Sequence, residues 1–271
     1  MTAPTVAARR RGASAIYAGN ARSVMLRGWR ATASTNWLVM LSGFFEPIFY
    51  LLSMGIGLGA LVGNVEGPGG HEIPYAAFIA PALLAVAAMN GAVYDSTWNV
   101  FFKMKFSKIY EGMLSTSLGP FDIALGEISL ALIRGALYAF GFMVVMQLLG
   151  LNLSWWALLA FPSVLLIAFA FASFGMAVTS YMKTFQHMDW INFFLMPMFL
   201  FSATFYPLSV YPESVQYVIQ ALPLWHGVEL VRGLTTGVVS VGMLWHVLYF
   251  AVMIVVGLVF TTRRLRALFL D

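Results

Sequence analysis

Four ionisable residues interrupt long apolar stretches of the chain and are the first candidates for chemistry. They are Glu46, Asp95, Glu127 and Arg134. On insertion scales an ionised side chain near the bilayer centre costs about 2.5–3.5 kcal/mol, so such residues usually face a pathway or a partner. If these apolar stretches cross a membrane, the four residues are candidates for lining a translocation pathway.

The spacing of these residues suggests how they are arranged. Glu127 and Arg134 are seven positions apart, two turns along one helical face, where they could share a network or form a structural salt bridge. Asp95 and Glu127 alternatively lie near an edge of the membrane and are simply solvated. Glu46 lies about ten residues inside its apolar stretch and precedes Pro47, which can kink a helix.

Several other chemistries lack the residues they need. The chain has no cysteine, which excludes disulfides and thiolate sites. It has no phosphate-binding G-x-x-x-x-G-K-[ST] loop and no G-x-S-x-G elbow. The four histidines are scattered, and His226 with Glu229 is the only metal-like spacing. We therefore predict no catalytic residue, metal or bound cofactor in this chain, and any ATP that it uses must bind to a partner.

Composition indicates what positions the four ionisable residues. Hydrophobic residues make up 61% of the 271 positions and charged residues only 10%, whereas soluble domains carry about 25% charged residues. A membrane helix needs about 20 mainly apolar residues. We predict an all-α integral membrane protein with six such spans, at residues 36–62, 74–102, 123–149, 155–182, 190–206 and 239–262.

The distribution of lysine and arginine predicts the orientation of these spans. Thirteen of the fifteen basic residues fall on one side of the six-span arrangement, and Arg232 alone falls on the other, while Arg134 lies within a span. Positively charged loops stay in the cytoplasm. We therefore expect a multi-pass protein of a prokaryotic cytoplasmic membrane with both termini in the cytoplasm. Membrane lipids, and not nucleic acid, are the expected partners of its basic residues.

Two further segments lie outside the spans. We divide the chain into a basic tail, residues 1–34, and a permease-like domain, residues 35–271. Within the tail, residues 16–30 mix apolar side chains with arginines and predict an amphipathic helix on the membrane surface, or alternatively a disordered basic tail. Residues 207–236 are broken by proline yet carry apolar residues at helical spacing, which predicts a re-entrant helical hairpin on the outer side.

A small-residue face marks the first span. Gly55, Gly59 and Gly63 recur every four residues, which lets a second helix approach closely. The facing helix belongs either to the same subunit or to a second subunit.

Four ordered blocks together resemble the permease subunits of type-2 ATP-binding-cassette exporters. The closest group is the nodulation-factor type, linked with lipo-oligosaccharide export and related to the daunorubicin-resistance permeases. The blocks are Glu46-Pro47-Ile48-Phe49-Tyr50 with Gly55 to Gly59, Tyr75 to Pro81 with Asp95-Ser96-Thr97, Tyr110-Glu111-Gly112-Met113-Leu114 with Asp122 and Glu127, and Pro197 to Leu208 with Pro223-Leu224-Trp225-His226 and Arg232-Gly233-Leu234.

This resemblance implies partners and roles that spacing alone does not give. Two permeases, identical or related, pair and dock two ATPase subunits, which bind ATP and Mg²⁺. Residues 103–122 are then the coupling loop, and the re-entrant segment closes the outer end. The implied ATPase contacts are Lys103, Lys105, Lys108, Tyr110, Glu111 and Gly112. The implied outer-gate residues are Pro207, Pro223, His226 and Arg232.

The function expected from the resemblance is ATP-driven export of an amphipathic or hydrophobic substrate by alternating access. A glycolipid, a lipid-linked saccharide or a drug would fit. Two alternatives remain open: a membrane-embedded lipid-modifying enzyme that uses Glu46, Asp95 or Glu127 as its base, and a carrier driven by an ion gradient.

Overall fold

The computed structural model describes residues 16–33 and 45–269, and this part of the chain is almost entirely helical. The predicted basic tail before residue 16 and the first residues of the predicted first span, 36–44, lie outside it. The helices are α1 (Ala21–Ala33), α2 (Phe45–Val62), α3 (Tyr75–Lys105), α4 (Ile109–Leu114), α5 (Pro120–Leu148), α6 (Trp155–Tyr181), α7 (Met188–Phe201), α8 (Glu213–Gln220), α9 (Pro223–Thr236) and α10 (Met243–Phe269).

Within the described residues, five helices are long and apolar enough to cross a membrane: α2, α3, α5, α6 and α10. They confirm five of the predicted spans to within a few residues at most ends. The predicted sixth span, 239–262, began and ended too early, because α10 begins at Met243 and continues through Arg263, Arg264 and Arg266 to Phe269. Long basic side chains can extend from a helix end towards water, so the helix need not stop where charge begins.

The predicted fifth span differs more. Its helix, α7, has 14 residues, which corresponds to about 21 Å. The helix ends at Phe201, and Ala203 just beyond it has a left-handed backbone with φ of 54°. The extension of this span to residue 206 was therefore wrong, and a complete sixth crossing stays a prediction.

α3 is the central helix, and 83% of the residues in its most apolar stretch of 18 are buried inside the protein. α5, α6 and α9 pack around it. Its buried positions include many alanines, such as Ala80, Ala85 and Ala88. Small side chains let helices approach closely within a membrane. One turn of α3, Asp95–Asn99, is π-helical, a distortion that is frequent at functional sites.

The connection between α2 and α3 contains a short β ribbon. Asn64–Glu66, strand β1, pairs antiparallel with Glu72–Pro74, strand β2. Gly63 ends α2 with a φ of +74°, a conformation that favours glycine.

The glycines of α2 face this connection and α3. A Cβ atom added to Gly55 would lie 3.4 Å from Cβ of Ala76, and one added to Gly59 would lie 3.8 Å from the ring of Tyr75. The structure thus places these two glycines against a helix of the same chain, and Gly63 at the helix end.

The ends of the long helices define two sides of the bundle. Lys103 at the end of α3 meets Glu127 near the start of α5, and Arg264 near the end of α10 meets Ser180 at the end of α6. We call this side the basic end. The β ribbon, α8 and α9 lie at the opposite end, where Thr235 accepts a hydrogen bond from Leu153.

Candidate functional site

The π-helical turn of α3 carries a buried ion pair. Nη1 of Arg134, on α5, lies 2.8 Å from Oδ1 of Asp95. Nδ2 of Asn99 donates to the same oxygen at 2.6 Å. The side chain of Asp95 is only 7% exposed. A buried charge is tolerated where it is paired and hydrogen-bonded, so this contact holds α3 and α5 together at an otherwise costly polar position.

A second buried carboxylate joins three helices nearer the basic end. Oε2 of Glu127, on α5, accepts a hydrogen bond from Nζ of Lys103 at 2.6 Å. Nη2 of Arg27, on α1, lies 3.9 Å from the other carboxylate oxygen. The Glu127 side chain is 4% exposed. We call Asp95, Arg134, Glu127, Lys103 and Arg27 the charge cluster.

The sequence identified three members of this cluster but not their partners. Glu127 and Arg134 do lie on one helix, but their ion pairs in the described structure are with residues of other helices. The alternative in which Asp95 and Glu127 are simply solvated was wrong, because both are buried. A spacing of seven residues places two side chains on the same side of a helix, but it does not show which side chains of the neighbouring helix lie opposite them.

The predicted coupling loop contains a short helix, α4, with one buried face and one exposed face. Tyr110 is fully buried on its inner face. Burial raises the pKa of the Tyr110 hydroxyl well above its ordinary value, and the nearby Glu127 carboxylate raises it further. The hydroxyl therefore keeps its proton beside the charge cluster.

This arrangement divides the residues implied for ATPase contact into two groups. Tyr110 is fully buried, so its side chain does not contribute to an outer contact surface, and the partly exposed Lys103 is bonded to Glu127 within the bundle. The remaining four are exposed at the basic end: Lys105, Lys108, Glu111 and Gly112. Lys108 begins the helix in a left-handed conformation, with φ of 48°.

Asp122 ties the N-terminal segment to this region, a role that the sequence analysis did not assign. Its carboxylate accepts hydrogen bonds from the backbone N–H groups of Ala18, Asn20 and Gly119 at 2.7–2.8 Å. A detectable signal was present, since glycine, proline and then an acidic residue is a helix-start pattern. The long-range bonds to residues 18 and 20 had no such signal.

The helix predicted over residues 16–30 is present in part as α1, which begins only at Ala21, and it packs on α5. Val24 of α1 is buried against Gly126, where an added Cβ would lie 2.5 Å from Cβ of Val24. Leu26 and Trp29 are among its exposed apolar side chains. A position of this exposed face on the membrane surface stays a prediction.

Glu46 lies apart from the charge cluster. It is exposed near the described start of α2 and borders a shallow cavity of about 430 Å³ together with Phe49, Tyr50 and Ser53. The other wall residues come from the same helix. The structure therefore does not bring Glu46 together with Asp95 or Glu127.

Arg232 is held rigidly at the opposite end. It is 2% exposed. Its guanidinium donates to the carbonyls of Phe78 at 3.1 Å and Ala203 at 2.7 Å, pairs with Glu229 at 3.1 Å, and lies 3.8 Å from the centre of the Phe78 ring. These contacts fasten α9 to α3 and to the turn after α7.

His226 belongs to an aromatic cluster between α9 and α10. Its Nδ1 lies 2.7 Å from Nδ1 of His246, and its ring stacks on Tyr249 with 4.1 Å between centres. The part of the chain described here contains no group of three or more metal-ligating side chains. Glu229, the other residue with metal-like spacing, is instead paired with Arg232. Of the other two gate candidates, Pro207 follows the turn that binds Arg232, and Pro223 begins α9.

A large apolar cleft of about 1330 Å³ opens between α7 and the α6–α10 pair. The end of α3 and the apolar face of α8 complete its walls. Val215, Val218, Ile219 and Leu222, the apolar residues repeated at helical spacing in the predicted re-entrant segment, all line this cleft. Sequence periodicity identified that face but not what it covers.

Comparison with known proteins places the chain in a family. Residues 20–236 match the model of the family described as ABC-2 type transporter. Nodulation protein J of Rhizobium leguminosarum bv. viciae is 30% identical, covering 88% of this chain and 89% of that protein. The protein of the same name from Rhizobium leguminosarum bv. trifolii is 32% identical, covering 88% of each chain. That from Sinorhizobium fredii (strain NBRC 101917 / NGR234) is 34% identical, covering 75% of each chain. The chain therefore belongs to the ABC-2 type transporter family, as a membrane-spanning subunit whose ATPase is a separate polypeptide.

Proposed function

We propose that the chain is the permease subunit of an exporter that moves an amphipathic or hydrophobic molecule outward across the cytoplasmic membrane. Two permeases pair, and two ATPase subunits dock at the basic end. The positions of the basic residues support this orientation. A glycolipid, a lipid-linked saccharide or a drug fits the substrate class.

The observation that carries this proposal is the connection between the exposed face of α4 and the charge cluster. Glu111 and Gly112 face outward, while Tyr110 of the same helix is buried beside Glu127. Glu127 in turn contacts Lys103 and Arg27. A push on the outer face of α4 is thus received by α1, α3 and α5 together.

The two ion pairs suggest how such a push changes the transport path. Asp95 and Arg134 hold the π-helical turn of α3 against α5, further from the basic end than Glu127. A shift of α4 that re-aligns α3 and α5 favours one packing of the helices over another. ATP binding acts only through its different affinities for the two packings.

The two alternatives are less well supported by the geometry. Asp95 and Glu127 are each buried and paired with a cation of another helix, which restricts the access of a substrate to either carboxylate. Glu46 stands apart from both. A gradient-driven carrier would not need the exposed α4 face that the proposal assigns to the ATPase.

The experiment is reconstitution of the tagged chain with its co-purifying ATPase in proteoliposomes, with ATP hydrolysis and transport measured together. Glu111→Arg reverses the charge on the α4 face and is expected to lower both activities while leaving expression and thermal stability unchanged. Glu213→Arg makes the same change on exposed α8 at the opposite end and serves as the control. Transport that proceeds without ATP and stops with an uncoupler would refute the proposal.

A further inference from the structure

The apolar cleft extends over most of the height of the bundle. Met182 lines the basic end of the cleft, next to Ser180, which Arg264 contacts, while Trp245, nineteen positions before Arg264 on α10, lines the far end. At 1.5 Å per residue the separation is roughly 28 Å. The hydrocarbon core of a bilayer is about 30 Å thick. The cleft is therefore long enough for an extended chain and is larger than ordinary small-ligand pockets of about 300–1,000 Å³.

The lining offers an occupant few hydrogen bonds. Two of its polar side chains already have partners within the chain: Oγ1 of Thr97 donates to the carbonyl of Val93 at 2.6 Å, and the Tyr249 hydroxyl donates to the carbonyl of Ala221 at 3.3 Å. Aliphatic and aromatic side chains form nearly all the remaining surface. Such a surface suits hydrocarbon.

The size of the side chains argues against a helix of a second subunit as the occupant. Contacts between membrane helices are enriched in small residues. The one glycine in the lining, Gly175, faces Ser96 of the same chain, and aromatic residues such as Phe174, Phe193 and Phe194 line the cleft instead. A flexible chain fills the spaces between these rings more readily than a helix, whose side chains stand at fixed spacing.

The mouth of the cleft at the basic end carries two cationic side chains, Lys183 and Arg264, and one carboxylate, Asp189, next to the lining residue Trp190. Met182 lines the cleft, and exposed Lys183 follows it directly. The Arg264 guanidinium lies 4.8 Å from the centre of the Tyr181 ring, and its Nε donates to the Ser180 carbonyl at 3.5 Å. Guanidinium and ammonium groups are the natural partners of phosphate and carboxylate.

We propose that this cleft binds a single-chain amphiphile, with its hydrocarbon chain along α6 and α10 and its anionic head group beside Lys183 and Arg264. α8 covers the far end of the chain with its apolar face. That this amphiphile is also the transported molecule rests on the proposed function, whereas its binding does not.

The test uses the full-length chain in nanodiscs of zwitterionic lipid, with a long-chain fatty acid that carries a mid-chain diazirine as the probe. After illumination, labelled positions are mapped by mass spectrometry at increasing probe concentration. We expect saturable labelling at cleft residues such as Phe194 and Met198, displaced by unlabelled fatty acid. Uniform labelling of all membrane-facing residues that rises linearly with probe would mean bilayer lipid only and would overturn the proposal. Cross-links to a second copy at these positions would overturn it as well.

Two matched pairs of variants sharpen the result. Val252→Trp narrows the cleft and is expected to remove most of the saturable labelling, whereas Val255→Trp, an equally exposed position on the same helix outside the cleft, keeps it. Thermal unfolding shows whether each variant is folded. If Val252→Trp unfolds, the head-group variants decide the question independently.

The second pair tests the head group. The double variant Lys183→Gln/Arg264→Gln is expected to weaken binding of the fatty acid roughly threefold to tenfold and to leave its uncharged alcohol analogue unaffected. The matched double variant Lys105→Gln/Lys108→Gln, also exposed at the basic end, binds the fatty acid like the wild type. Equal loss in both doubles would overturn the head-group assignment.

Failure of this proposal is distinguishable from failure of the exporter function. ATP-driven transport without saturable labelling would reject the cleft and leave the function standing. Saturable labelling without any ATPase partner would reject the function and keep the binding site.

Discussion

Replacing Arg134 by glutamine tests whether the charge cluster holds the bundle together. The change removes the cation 2.8 Å from Asp95 and leaves the buried carboxylate with Asn99 as its remaining polar contact on α3. Glutamine keeps hydrogen-bonding capacity at the site, so the variant removes mainly charge. The expected effect is loss of stability at the α3–α5 contact.

The magnitude follows from the burial of this pair. Breaking a buried ion pair from one side costs about 3–5 kcal/mol, because the other charge is left without compensation. An interhelical hydrogen bond between neutral groups in a membrane is worth only about 0.6 kcal/mol on average. We therefore expect Arg134→Gln to lower the free energy of unfolding by about 3–5 kcal/mol. The double variant Asp95→Asn/Arg134→Gln, which carries no net buried charge there, should recover a large part of this loss.

Thermal unfolding in detergent measures both effects. For a chain of this size each 1 kcal/mol corresponds to about 2–4 °C, so the single variant should unfold roughly 6–20 °C below the wild type. Lys105→Gln, which removes an exposed cation from the end of α3, should stay within about 0.5 kcal/mol. A loss below about 1 kcal/mol for Arg134→Gln, or a double variant as unstable as the sum of its singles, would refute the reasoning.

Two other contacts give predictions of their own. Gly257→Ala places a Cβ 2.6 Å from the backbone of Ser173 and should cost about 1–3 kcal/mol by thermal unfolding, whereas Gly57→Ala, with nothing within 4 Å, should be neutral or slightly stabilising. Equal stability of the two variants would contradict the packing of α10 on α6. Asp122→Ala removes the acceptor of three backbone N–H groups, so it should cost roughly 2–4 kcal/mol and expose α1 to limited proteolysis. Asp189→Ala, which replaces an acidic residue in the first turn of α7, is the control. An unchanged digestion pattern for Asp122→Ala would show that Asp122 does not hold the N-terminal segment in place.

The sequence predicted the long helices well because their signal is local. Runs of about 20 apolar residues give spans regardless of what surrounds them, and the positions of α3, α5 and α6 agree with the structure closely. The predicted fifth span failed at its end because the turn at residues 202–206 contains no charged residue, glycine or proline that would mark the end of a span. The left-handed conformation of Ala203 is fixed by its carbonyl bond to Arg232, a contact 29 positions away in the chain.

The candidate site was predicted only in part for the same reason. Charged residues in apolar runs were conspicuous, so Asp95, Glu127 and Arg134 could be identified. Lys103 and Arg27, the partners of Glu127, come from other helices, and the two helices that meet at Asp95, α3 and α5, have no continuous polar face. A helix without a polar face gives no periodicity from which to infer its neighbours. The assignment of Tyr110 to an outer surface failed because its burial depends on how α4 docks.

The buried alanines in the centre of α3 also restrict which amino-acid substitutions this chain can accept during evolution. At fully buried positions such as Ala80, Ala85 and Ala88 a larger side chain would have to push apart α5, α6 or α9, at a cost of about 1–3 kcal/mol for each overpacked site. At exposed apolar positions such as Val255 many apolar residues serve equally well. Lineages that descend from this sequence should therefore retain small residues along α3 while the outer face of α10 drifts.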